Sequence, residues 1–179
     1  MNNLTVKEHW SSSYYQRTAH NANSADFTAA FAVDFTTSGE RLTKRVAGEK
    51  FLEIFIPGNK PIEAARKLWK AVAASTKTLN IAGNGIYTMS QHGWTQEMVN
   101  QYIYETIQIL EPYSDIRKIV SGGQTGADLA GGVAGVALGI PVEMTLPRGF
   151  RQRHEDGVDR NHTEEEIIEQ VMIGIRNLK

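Results

Sequence analysis

Two glycine-bearing turns and one basic loop hold the residues of this chain that could do chemistry. Ser121-Gly122-Gly123-Gln124-Thr125-Gly126 follows an apolar run with Ile116, Ile119 and Val120 and leads into a long stretch of small residues. That order reads as strand, tight turn, helix. Glycines let a backbone take positive φ and approach a ligand closely, while the first N–H groups of the following helix lack partners, so such a turn can seat an anion, most often phosphate. The same residues support a plainer reading. Thr125 could be the helix N-cap, with Asp128 three residues on completing a capping box. The two readings are compatible, and Asp128 could also bind a ribose hydroxyl.

A second turn, Gly83-Asn84-Gly85-Ile86-Tyr87-Thr88, follows the short strand Leu79–Ala82. In a parallel sheet, neighbouring strands deliver their turns to the same edge, so Gly83, Asn84, Gly85 and Tyr87 would join the first set; Tyr87 could stack on a base. The alternative is a simple turn. Asp34, Thr36, Thr37 and Ser38 lie just beyond another strand, either near a ligand or as the cap of a short helix, Glu40 to Val46. The basic loop from Pro147 to Glu155 supplies Arg148, Arg151 and Arg153. Arg148, with Arg151 or Arg153, is expected to close over a phosphate through paired N–H donors, against the alternative of a solvated loop pairing with Glu155 and Asp156.

The run KIVSGGQTGADLA, continuing through ALGIPVEMTLPRGF, resembles the signature of the molybdenum-carrier branch of the SLOG superfamily, Rossmann-like proteins related to the LOG (lysine decarboxylase-like) proteins and to the DprA nucleotide-binding domain. The resemblance covers about Lys118 to Phe150. It implies binding, sensing or processing of nucleotides or nucleotide-derived small molecules, and a tendency to assemble. The two turns and the basic loop themselves supply the candidate ligand-binding set: Gly83, Asn84, Gly85, Tyr87, Ser121, Gly122, Gly123, Gln124, Thr125, Asp128, Arg148 and Arg151. The ligand is open: a molybdenum cofactor, a dinucleotide, an ADP-ribose derivative or a cyclic nucleotide. LOG-type hydrolases carry P-G-G-x-G-T-x-x-E; this chain has G-G-Q-T-G-A-D with the shorter Asp128, a departure from that activity.

With 179 residues and 41% hydrophobic side chains, the chain has the dimensions of one ordinary domain. Nineteen basic against 20 acidic side chains leave a formal charge of −1, so no global field favours nucleic acid or an anionic membrane. There is no Cys, which removes disulfides and thiolate chemistry. The five histidines show no paired metal spacing, and no dedicated metal site is expected; Mg²⁺ would arrive only with a phosphorylated ligand. No signal peptide or spanning segment is visible, and a cytoplasmic protein is expected.

These motifs need a scaffold, and strand and helix patterns alternate from residue 27 to the end. Phe27 to Phe35, Phe51 to Ile56, Leu79 to Ala82, the run before Ser121, and Val142 to Thr145 read as strands. Between them, helices are expected from Pro61, with Ile62, Ala65, Leu68, Trp69 and Val72 inward; after His92-Gly93-Trp94-Thr95 to about Leu110, with Met98, Val99, Tyr102, Ile103, Ile107 and Leu110 inward; from Thr125 to Leu138; and from the capping box Thr163/Glu166 to Asn177. The fold class is α/β: a single Rossmann-like domain with a mainly parallel sheet and helices on both faces. Residues 1 to 26, polar and rich in Ser and Asn with Trp10, Tyr14 and Tyr15 as large anchors, are expected to form a flexible arm whose aromatics could dock on a second subunit in a homo-oligomer, most simply a dimer.

Two function classes stay open at this level: a module that binds a phosphorylated nucleotide-derived ligand as carrier, sensor or sequestering protein, and a nucleotide hydrolase cleaving an N-glycosidic or phosphate bond. A single-strand DNA binder is a weaker third, disfavoured by the charge balance. No G-x-S-x-G elbow or P-loop occurs.

Overall fold

Continuous apolar runs such as FTAAFA suit strands covered on both faces, and they take the middle of the sheet. The computed structural model describes residues 3–72 and 74–179. Strands β1 (Leu4–Glu8), β2 (Phe27–Ala32), β3 (Phe51–Phe55), β4 (Thr78–Gly83), β5 (Lys118–Ser121) and β6 (Val142–Leu146) form one sheet in the order β1-β6-β5-β4-β2-β3, with every pairing parallel. All six residues of β2 are buried, whereas β1 and β3 at the edges each bury one. A two-residue hairpin, β7 (Gln152–Arg153) with β8 (Asp159–Arg160), is antiparallel and lies apart.

Among the described residues the α-helices are α1 (Tyr14–Asn23), α2 (Ser38–Ala47), α3 (Pro61–Ala71), α4 (Ile86–Ser90), α5 (Gln96–Leu110), α6 (Ala127–Ala137) and α7 (Glu164–Arg176). From β2 the chain steps outward to β3, then crosses back to β4 on the other side of β2 and continues to β5 and β6. Right-handed crossovers in opposite directions put their helices on opposite faces. Accordingly α1 packs with α2, while α3, α5, α6 and α7 pack in succession on the other face. The reversal between β2 and β4 is the topological switch point, where an open α/β sheet leaves a crevice at its carboxyl edge.

Helix α6 lies so close to the sheet that a Cβ at Gly131 would stand 2.7 Å from Ile81 and one at Gly135 would stand 2.4 Å from Val142. The small-residue stretch is therefore a packing surface. The Thr163/Glu166 capping box opens α7 as its sequence implies.

Several expectations are corrected. Residues 4–23 are not a free arm: β1 adds to the sheet beside β6, and α1 buries Arg17 and Asn21. The polar composition that suggested an arm belongs to an edge strand and to a helix whose polar side chains point into a cavity. Trp69 and Met98, placed in the core by spacing, are 54% and 46% exposed, because each sits at the border of its helix's apolar face. The basic loop carries the β7–β8 hairpin.

Candidate functional site

At the carboxyl ends of β2, β4 and β5 the structure leaves a cavity of about 220 Å³. Its walls come from four places: Tyr14, Arg17, Thr18 and Asn21 of α1; Thr37, Gly39, Glu40 and Thr43 around the start of α2; Asn80 and the Gly83–Thr88 turn; and Gly122, Gln124 and Asp128 after β5. Arg153 of β7 also reaches the lining. Ligand sites of drug size run to roughly 300–1,000 Å³, so this recess suits a single ring or sugar with the rest of a ligand at its mouth.

The two glycine turns are stitched to each other. Ile86 N donates to Thr125 O at 3.3 Å, and Ala127 N donates to Asn84 O at 3.1 Å. A Cβ at Gly126 would stand 2.3 Å from Asn84 O, and one at Gly83 would stand 1.9 Å from Phe31 O. Glycine is needed at both for backbone to pass backbone. Asn84 is buried and uses its carboxamide fully: Oδ1 accepts from Val33 N and Asp34 N, each at 2.9 Å, while Nδ2 donates to Asp34 O and to Glu40 Oε1. Its role is to clip β2's exit to β4's exit.

The turn after β5 is likewise engaged from within. Ser121 Oγ donates to Asp128 O and accepts from Gly123 N at 3.3 Å, so the hydroxyl faces no ligand. Gly126 N donates to Gln96 Oε1 at 2.6 Å, and Gln96 Nε2 returns a bond to Gly126 O at 3.0 Å. The Thr125–Asp128 capping box does not form. Helix α6 starts two residues later, with Gly126 as N-cap at φ 92°, and Thr125 Oγ1 donates instead to Arg153 O. Asp128 turns toward α1, where Arg17 Nη1 meets Oδ2 at 2.7 Å with both side chains buried. Gly122 makes room for this pair: a Cβ there would stand 1.7 Å from Arg17 Nη1 and 2.1 Å from Asp128 Oδ2. At Gly123, φ is +65° and the missing Cβ would point into Leu146, away from the cavity. The N–H groups of Gly126, Ala127 and Leu129, at the terminus expected to seat a phosphate, thus donate to Gln96 Oε1, Asn84 O and Gln124 O.

Of the expected cations, Arg148 is exposed, outside the lining, and bonded through its backbone to Ser11 O. Arg151 and Arg153 both pair with Asp159, at 3.4 and 2.8 Å, and of the three only Arg153 lines the cavity. Arg148 fails to reach because the chain turns back through Gly149 into the hairpin. Tyr87, Gly85 and Gln124 do line the cavity, Tyr87 being 42% exposed and available for stacking.

On sequence-level comparison and on comparison of folds, the chain matches no family model, no curated protein and no solved structure.

The most informative groups come from α1, α2 and β4. Tyr14 Oη, Arg17 Nε, Asn21 Oδ1, Glu40 Oε2 and Asn80 Oδ1 are buried and have no hydrogen-bond partner among the described residues. All five belong to residues lining the cavity. Burial, reinforced by the nearby Asp128 carboxyl, pushes Glu40 up to about 8, so it is the neutral acid at pH 7. Burial also raises Asp128 from the usual carboxylate range, with Arg17 opposing the shift. Burial raises Tyr14 as well, keeping its phenol a donor. Sequence reading missed Tyr14, Arg17, Asn21, Glu40 and Asn80 as site residues because none sits in a motif. Helical spacing offered one faint signal: Tyr14, Arg17, Thr18 and Asn21 recur at i, i+3, i+4, i+7, a polar stripe on one face.

Among the described residues no group of three or more His, Asp or Glu is arranged to hold a metal ion, and no helix is long and apolar enough to cross a membrane.

Proposed function

We propose that this protein binds a phosphorylated, nucleotide-derived small molecule in the cavity between β2, β4 and β5, holding it unchanged as a carrier, sensor or sequestering protein. The observation that carries this reading is the set of five unpaired buried polar atoms on one recess. Native proteins pair nearly all such groups, and each one left unpaired costs about 1–3 kcal/mol, so a cluster facing a cavity calls for a polar occupant. Position agrees, since the switch point is where open α/β sheets bind ligands. At the mouth, Gly39 in the first turn of α2 and the Arg153 guanidinium are the groups that suit a phosphate. The resemblance of KIVSGGQTGADLA to the SLOG superfamily supports the same ligand class, and SLOG membership, a homo-oligomeric state and a cytoplasmic location belong to this proposal. A pyranopterin such as molybdenum cofactor would fit only in part, with its pterin ring inside.

A hydrolase is the second reading, favoured by two buried carboxyls, Glu40 and Asp128, on one cavity, both raised by burial and only Asp128 held by an arginine. One experiment covers both. The purified protein is incubated with a panel of nucleotides, passed through a desalting column, and the bound fraction is analysed by mass spectrometry after heat release. Intact ligand in the bound fraction supports binding, and altered nucleotide in either the bound or the small-molecule fraction supports turnover; no retained nucleotide at micromolar protein together with an unaltered small-molecule fraction overturns both.

A further inference from the structure

Two groups that line the cavity differ in what they can offer a ligand. Glu40 stands in the first turn of α2, and its Oε1 accepts from Asn84 Nδ2 at 3.2 Å while Oε2 is buried without a partner among the described residues. Asn80 lies in β4, and its Nδ2 donates to Thr28 Oγ1 at 3.3 Å while Oδ1 is left in the same state. They are 5% and 2% exposed, and both line the recess. Asn80 Oδ1 can only accept. Oε2 of a neutral carboxyl whose other oxygen already accepts a hydrogen bond is the place for the proton, and there it donates.

We infer that Glu40 and Asn80 read an amidine-type edge, N=C–NH₂, in which a ring nitrogen accepts from Glu40 Oε2 and the adjoining amino group donates to Asn80 Oδ1. This rests on the nucleotide reading above and names the part of the ligand that enters the recess. Adenine, cytosine and pterin share that edge. Their oxo counterparts, hypoxanthine, uracil and lumazine, carry N–H beside C=O and reverse both contacts, placing donor on donor and acceptor on acceptor. A site whose buried groups are built to hydrogen-bond one pattern rejects the reversed one strongly, because both protein groups are left unpaired. The acid form of Glu40 persists to a pH of about 8, which keeps the donor in place under neutral conditions.

Calorimetric titration of the full chain at pH 7 with three matched pairs, AMP and IMP, CMP and UMP, pterin and lumazine, tests this. At least one amino member is expected to bind about ten-fold or more tightly than its oxo partner, and the pair that does so identifies the ring. For that member, wild-type affinity is expected to fall as pH rises past 8, because ionised Glu40 turns an acceptor toward the ring nitrogen. Glu40→Gln, which carries an N–H donor in place of the acid O–H, keeps the preference and loses the pH dependence. Amino and oxo members that bind equally, or a Glu40→Gln protein that binds nucleotides without preference, overturn the edge assignment and leave the nucleotide reading standing. No binding by any of the six overturns both.

Discussion

The turn after β5 and the inward stripes of α1 and α2 line one cavity, yet their polar atoms are spent in opposite ways. After β5, Ser121, Gly126 and Thr125 bond to the protein itself, and Asp128 is held by Arg17. Across from these, Tyr14, Asn21 and Glu40 each keep a buried polar atom without a partner among the described residues. The difference separates two uses of a glycine-rich turn. Glycine after β5 lets strands, turns and an ion pair crowd together, and the crowding consumes the donors that an anion would need. Under the proposed function, recognition falls to side chains delivered by helices on the other face of the sheet.

The largest effect that would break this comparison is at Gly122. Gly122→Ala puts a methyl where the Arg17–Asp128 contact stands, and parting a buried ion pair costs about 3–5 kcal/mol. Urea denaturation should show a loss of that size, whereas Gly85→Ala, whose Cβ would stand 3.5 Å from Thr125 O, should lose under about 1 kcal/mol. Equal losses would mean that the two turns are not differently packed.

At Glu40 the expected effect is on the pH dependence of stability. Its carboxyl is raised from 4.5 to about 8 on folding, so the folded chain holds a proton that the unfolded chain releases between those values. Stability attributable to this group is therefore complete below about pH 4.5 and is lost as pH rises through 8, on the order of 3–5 kcal/mol in all. Glu40→Gln should flatten the fall in melting temperature between pH 5 and 8; a slope unchanged from wild type would place the titration elsewhere.

Smaller again is the contribution of the mouth. Arg153→Ala should weaken nucleotide binding by about five- to ten-fold, after discounting for its exposed pairing with Asp159. Arg148→Ala should leave affinity within about two-fold, since the side chain lies outside the lining. Titration at matched salt separates the two, and a larger effect at Arg148 would reverse their assignment.

Much of the scaffold was legible in the residues. The β2, β3, β4 and β6 runs, the α5 face with Val99, Ile103 and Ile107, and the α7 capping box follow from period and cap chemistry, which act over a few neighbouring residues. The N-terminal segment was not, because β1 is half-exposed at an edge and polar α1 has a stripe that buries only when a cavity is present to receive it. In the site, both glycine turns were found at the right edge of the sheet, but the direction of each polar group was not.

By itself the sequence determined that strands alternate with helices and that two glycine turns share one edge, because hydrophobic period and glycine's backbone freedom are local properties. Only the tertiary structure decided which polar atoms remain for a ligand. Arg17 and Asp128 are 111 positions apart, and Glu40 and Asn84 are 44 apart. Whether a buried carboxyl or amide is satisfied depends on such distant partners, and no spacing within a single turn contains that information.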